Sequence, residues 1–168
     1  YGMFSGCESL TDLNGLTNWN TSSVGDMSSV FYNCSSLMDL SGLATWNTRR
    51  VSDMSSMFGD CSSLTDLSPL TKWDTSNVAN MGGMFSGDLF YMQIADLSPL
   101  ANWDTGSVTN MNSMFNNCEK LSNTSAINDW NIVKVTDFDQ MFCFCPSHPT
   151  FTKREGTWDN NGTFTPTS

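Results

Sequence analysis

The stretch WNTRRVSDMSSMFGDCSSLTDLSPLTKW, residues 46–73, returns to its starting tryptophan after 27 positions. Within it the apolar residues Val51, Met54, Met57, Cys61, Leu64, Leu67, Leu70 and Trp73 fall at or close to every third position. A half-buried strand alternates with period 2 and a helix with period 3.6, so neither accounts for the pattern. A 3₁₀ helix has period three, but it is seldom sustained beyond a turn or so. The spacing therefore predicts a coil that bends repeatedly, turning one residue in three toward a shared axis. The intervening Ser, Thr, Asn, Asp and Gly suit tight turns that bond their own backbone.

Outward from this unit the pattern repeats. Phe4, Phe31, Phe58, Phe85, Phe115 and Phe142 are spaced 27, 27, 27, 30 and 27 residues apart. Trp19, Trp46, Trp73, Trp103 and Trp130 keep the same register, as do Val24, Val51, Val78, Val108 and Val135. A chain of this kind is expected to stack like residues over like in a β-solenoid of short strands and turns, with five to six coils of about 27 residues. At roughly 4.8 Å per coil the stack is about 25–30 Å long. The repeat solenoid is expected over 1–145, with a 30-residue variant coil around 87–95, and residues 146–168 form a C-terminal cap or extension.

The segment Met57–Leu67 (MFGDCSSLTDL), nearly repeated at Val30–Leu40, resembles the BspA-like leucine-rich-repeat surface proteins. The preceding Trp73–Met81 (WDTSNVANM) is similar to the longer-repeat branch of that family, found on Gram-positive bacteria, mycoplasmas and protists. The resemblance spans Met3 to about Cys145. It implies a leucine-rich-repeat-like right-handed solenoid, an extracellular or cell-surface location, and roles in adhesion or a surface coat, with no catalytic residue to carry over. Asp88 stands where the fourth unit should carry its cysteine, and Thr124 and Phe138 replace a ladder Leu and a ladder Met.

Composition narrows the function. The 168 residues carry 17 acidic and 7 basic side chains, a formal charge of −10. A nucleic-acid or anionic-membrane partner would need clustered Lys and Arg, and no apolar run approaches a membrane span. Charged residues are 14% of the chain, against about 25% in an ordinary domain; Ser, Thr and Asn replace them. With a single histidine, His148, in a Pro-flanked tail, a nucleophile–base constellation has little to build on, and the chain is expected not to be an enzyme or to hold a cofactor.

Several groups are candidates for chemistry or contact. Asp12, Asp39, Asp66 and Asp96 form a column that either caps turns or binds calcium, which takes six to eight oxygens in flexible geometry. Cys7, Cys34, Cys61, Cys118 and Cys145 form another column, expected as small buried apolar residues. Cys143 lies outside it and could bridge to Cys118 or Cys145. Leu89, Phe90, Tyr91 and Met92 run consecutively where other units have a polar turn. There Tyr91 and Ile94 fill the cysteine and leucine columns while the bulge accommodates extra length, or Phe90, Tyr91 and Met92 form an exposed binding bulge. Sequons for N-glycosylation occur at Asn20, Asn33, Asn123 and Asn161, the number chance predicts.

Tyr1 opens the chain in mid-unit without the polar capping unit that ends most repeat stacks. This reads as a cut from a longer array or a coil covered by another molecule. The expectation is an extracellular building block of a fibre or coat, joining a second copy end to end through Tyr1, Met3, Phe4, Phe144, Phe151 and Trp158. The alternative is a monomeric adhesin-type module recognising a host protein or glycan, and an exposed aromatic cluster at Phe90–Tyr91 would favour it.

Overall fold

Turns follow one another through each unit because two residues per unit, or Gly83 alone in the fourth, adopt a left-handed backbone. In the second unit Val30 N–H donates to the Met27 carbonyl and Cys34 N–H to that of Phe31. The third residues of these turns, Ser29 (φ 54°) and Asn33 (φ 56°), have positive φ, the mark of a type II turn. The odd amides between them, Met27, Ser29, Phe31 and Asn33, are then free to donate to Asp53, Ser55, Met57 and Gly59 of the following unit. Local turns and the neighbouring unit thus share the backbone donors between them. A further turn closes each unit as a three-residue 3₁₀ segment: Asn14–Leu16, Ser41–Leu43, Ser68–Leu70, Ser98–Leu100 and Ser125–Ile127.

The structure, a computed structural model, describes residues 1–167; Ser168, the last residue of the expected cap, lies outside them. Its repeat units stack in register, an arrangement with little helix or strand that is compatible with a repeat solenoid. The expected short strands within the coils do not form among the described residues. Units meet instead through isolated parallel bridges, as in the run Asp26, Asp53, Asn80, Asn110, Asp137. A chain that bends every third residue never keeps enough consecutive extended residues for a ladder. The two strands, β1 (Gly156–Trp158) and β2 (Phe164–Pro166), pair antiparallel outside the repeats.

One core runs the length of the stack. Val51, Met54, Met57, Phe58, Cys61, Leu64, Leu67 and Leu70 are all buried, and their equivalents in the next units follow suit. Phe4, Phe31, Phe58, Phe85, Phe115 and Phe142 stack with centroids 5.1 to 5.7 Å apart. Burial of each enclosed ring contributes about 1.5–3 kcal/mol. The indole and threonine hydroxyl donors of the core are satisfied along the stack, whereas Asp60 Oδ2, in the buried interior, has no hydrogen-bond partner among the described residues. Trp73, Trp103 and Trp130 donate their indole N–H to the carbonyls of Leu43, Leu70 and Leu100, each at 3.0 Å. Thr48, Thr75 and Thr105 donate hydroxyls to the carbonyls of Asp74, Asp104 and Asn131 in the following unit.

The cysteine column is wired in the same manner, and the expected bridge involving Cys118, Cys143 and Cys145 is absent: all six cysteines are free. Cys118 and Cys145 donate their thiols to the carbonyls of Phe85 and Phe115 in the preceding unit. Those bonds direct each sulfur toward backbone and leave Cys143 without a bridging partner. Burial pushes the Cys34 thiol up to about 11 and the Cys61 thiol further still.

After Cys145 the chain folds back over the last unit. Phe142 N–H donates to Gly162 O and Thr152 N–H to Asn128 O, while Arg154 Nη1 lies 2.7 Å from the Val135 carbonyl. Trp158 stacks on His148 at 4.9 Å and meets Phe142 edge-on at 5.3 Å. Phe164 packs against Phe138, Phe151 and Trp158. Rings from residues 146–167 thereby cover core that the last unit would otherwise expose.

Candidate functional site

The three extra residues of the fourth unit are accommodated as an outward bulge, and a buried carboxylate holds it. Asp60, fully buried, accepts from Leu89 N–H at 2.7 Å and Phe90 N–H at 3.3 Å through Oδ1. Asn117 of the following unit secures the other side. Its side-chain amide donates to Gly87 O, and its own carbonyl accepts from Met92 N–H. Gly87 is required at the start of the bulge, since a Cβ there would overlap the Phe90 carbonyl. Asp88 lies beside the clamp, its carboxylate bonded by the Ser86 hydroxyl at 2.6 Å. On the adjoining surface burial, helped by Asp60 and Asp88, pushes the Tyr32 phenol up to about 12.

The bulge leaves Leu89, Phe90 and Tyr91 65%, 51% and 59% exposed. Met92 does not belong with them: it is fully buried and, with Ile94, supplies the core residues of this coil, so Met92 is withdrawn from the expected binding bulge and Tyr91 from the cysteine column. Between the bulge and the last two units lies a cleft of about 420 Å³, lined by Gly87, Asp88, Leu89, Phe90, Tyr91, Asn117, Glu119 and Phe144. Phe144 is 70% exposed, with φ at 58°. Gly6, Asn33, Asp60 and Asn117 hold equivalent left-handed positions in other units; Gly, Asn and Asp tolerate that conformation and a bulky aromatic does not.

Other expected site residues are placed differently. Asp12, Asp39, Asp66 and Asp96 each accept the backbone N–H two residues on, at 3.1, 2.8, 2.9 and 2.9 Å, which makes them turn caps. Hydrogen bonds from Ser41 and Ser98 hold Asp39 and Asp96 below the usual carboxylate value. No group of three or more His, Cys, Asp or Glu gathers to hold a metal among the described residues. Among the expected assembly contacts, Tyr1, Met3 and Phe144 are exposed and Phe4 packs on Phe31. Trp158 packs on Phe142 of the last unit, where apolar rings had a surface to cover, and Phe151 on Trp158 and Phe164, so that both are engaged within this chain. Asn20 and Asn161 are exposed, whereas the side-chain amides of Asn33 and Asn123 donate to Glu8 and Asp96.

Sequence reasoning passed over Asp60, Asn117 and Glu119 and did not join Phe144 to the bulge. The signal was available for one of them: in the column Gly6, Asn33, Asp60, Gly87, Asn117, Phe144, the aromatic is out of character.

A family of repeat proteins described as "Mycoplasma protein of unknown function, DUF285" matches over residues 1–94 and again over 87–163. The chain belongs to the DUF285 family. Two successive matches bear out a repeat-protein family of the surface-protein kind, without the narrower leucine-rich-repeat assignment. No curated protein and no solved structure matches this DUF285 chain. No helix among its described residues is long and apolar enough to cross a membrane.

Proposed function

We propose that this DUF285 chain is a non-enzymatic, extracellular binding module, built as a right-handed leucine-rich-repeat-like solenoid, that holds a partner in the cleft beside its bulge. One observation carries the reading: exposed aromatic side chains from two separate units line a single cleft, one of them kept there against the preference of its backbone. Exposed single apolar residues are ordinary, but a contiguous rimmed patch is a mark of contact. The end-to-end fibre is the weaker reading, because it needs Phe151 and Trp158 for a neighbour and the chain uses both itself. Light scattering with negative-stain imaging of the purified chain tests the choice. The expected result is a monomer at micromolar concentration; long filaments with an axial repeat of one stack length would replace the module with a structural subunit.

A further inference from the structure

Resting on the binding-module reading, we infer that the occupant of the cleft is a basic segment of a partner protein, entering by an arginine or lysine side chain. Phe90, Tyr91 and Phe144 line the cleft, all three exposed, and among the described residues none of the three rings packs against another aromatic ring. A cation over the face of such a ring is attracted by the ring quadrupole. Asp88 and Glu119 supply carboxylates on the same cleft, and Asn117, one N–H of its amide bonded to Gly87 O, offers its side-chain oxygen as a further acceptor. Acceptors predominate among the side chains so placed, which suits the five donors of a guanidinium.

Charge decides against a neutral sugar. Sugar hydroxyls can donate to the two carboxylates but leave their charge uncompensated, whereas a cation supplies both donors and counter-charge. Lys120, the one basic residue beside Glu119 in sequence, is exposed and does not line the cleft. The formal charge of −10 over the whole chain draws a basic segment toward it from a distance. Phe144 then has a physical reason to occupy a position that Gly, Asn or Asp fills elsewhere: its ring is the far wall of the cleft.

The test is a titration of the ¹⁵N-labelled full chain with a blocked hexa-arginine peptide, with blocked hexa-glutamate and neutral maltohexaose in parallel. Shifts confined to residues 87–92, 117–119 and 144, at least tenfold weaker binding in Phe90→Ser with Phe144→Asn, and unchanged binding in Glu155→Gln are expected. Glu119→Gln, at an exposed site outside the core, gives a separate reading, with a several-fold loss expected. Shifts spread along the aspartate columns, with the ring variant binding as tightly as the parent, would reduce the interaction to bulk charge and overturn the inference. Binding of maltohexaose in the cleft without binding of hexa-arginine would also overturn it, while leaving the module reading in place. A filament in the scattering experiment would instead remove that reading itself.

Discussion

Phe144 is the residue at which stability and contact pull apart. A left-handed backbone costs an ordinary side chain about 1–2 kcal/mol, and 70% exposure of the ring returns little of it through burial. Phe144→Gly is therefore expected to raise the free energy of unfolding by about 0.5–1 kcal/mol, the glycine's greater freedom when unfolded taking back part of the relief. Urea unfolding of the two proteins measures this. A destabilised variant would mean that the ring supports the fold, and the strain would then say nothing of binding. The side chains at the equivalent left-handed position of other units, Asn33, Asp60 and Asn117, have polar atoms that bond across units and so lack this conflict.

At the scale of the element, the bulge depends on one carboxylate. Asp60→Ala leaves Leu89 and Phe90 N–H without their acceptor and puts alanine at φ 57°, two losses that outweigh relief of the unpartnered, buried Oδ2. The loss is expected at about 1–3 kcal/mol. Amide exchange at Leu89 and Phe90 is expected to quicken at least tenfold, while that of Met57 and Phe58 follows only the global change. Asp60→Asn keeps an acceptor oxygen and a residue tolerant of the backbone, so its bulge is expected to exchange close to the parent rate. Equal exchange in parent and Asp60→Ala would show that Asn117 alone holds the bulge.

For the whole molecule, stability against pH has two expected steps on the acid side. Burial against Trp158 and Phe142 holds His148 below its usual value of 6.5. The unfolded chain therefore takes up the proton first, and stability present above 6.5 is lost as pH falls through the lower folded value. Serine hydrogen bonds likewise hold Asp26, Asp74 and Asp96 below the ordinary 3.8, and their contribution is present above 3.8 and lost below it. Thermal midpoints from pH 8 to pH 2 should decline first over the histidine range and again in acid. His148→Phe should abolish the upper step alone; an upper step that survives the substitution would assign it elsewhere.

The amino-acid sequence by itself determined the repeat, its register and the identity of the core. Phe31, Phe58 and Phe85 or Trp73 and Trp103 can stack only if 27 or 30 residues close one unit, and apolar burial enforces that register wherever it recurs. The capping role of Asp39 or Asp66 was legible because an Asx turn is a local bond two residues long. Strands were overestimated because a period of three does not say whether units meet along ladders or at single bridges. Only the tertiary structure brought Phe144 to Phe90, set Asp60 beneath the bulge, sent Met92 inward and laid Trp158 over Phe142. Each of those placements involves at least one residue outside the repeating pattern. Where the repeat lapses, position in the sequence no longer implies position in the stack, and packing across units chooses the neighbours.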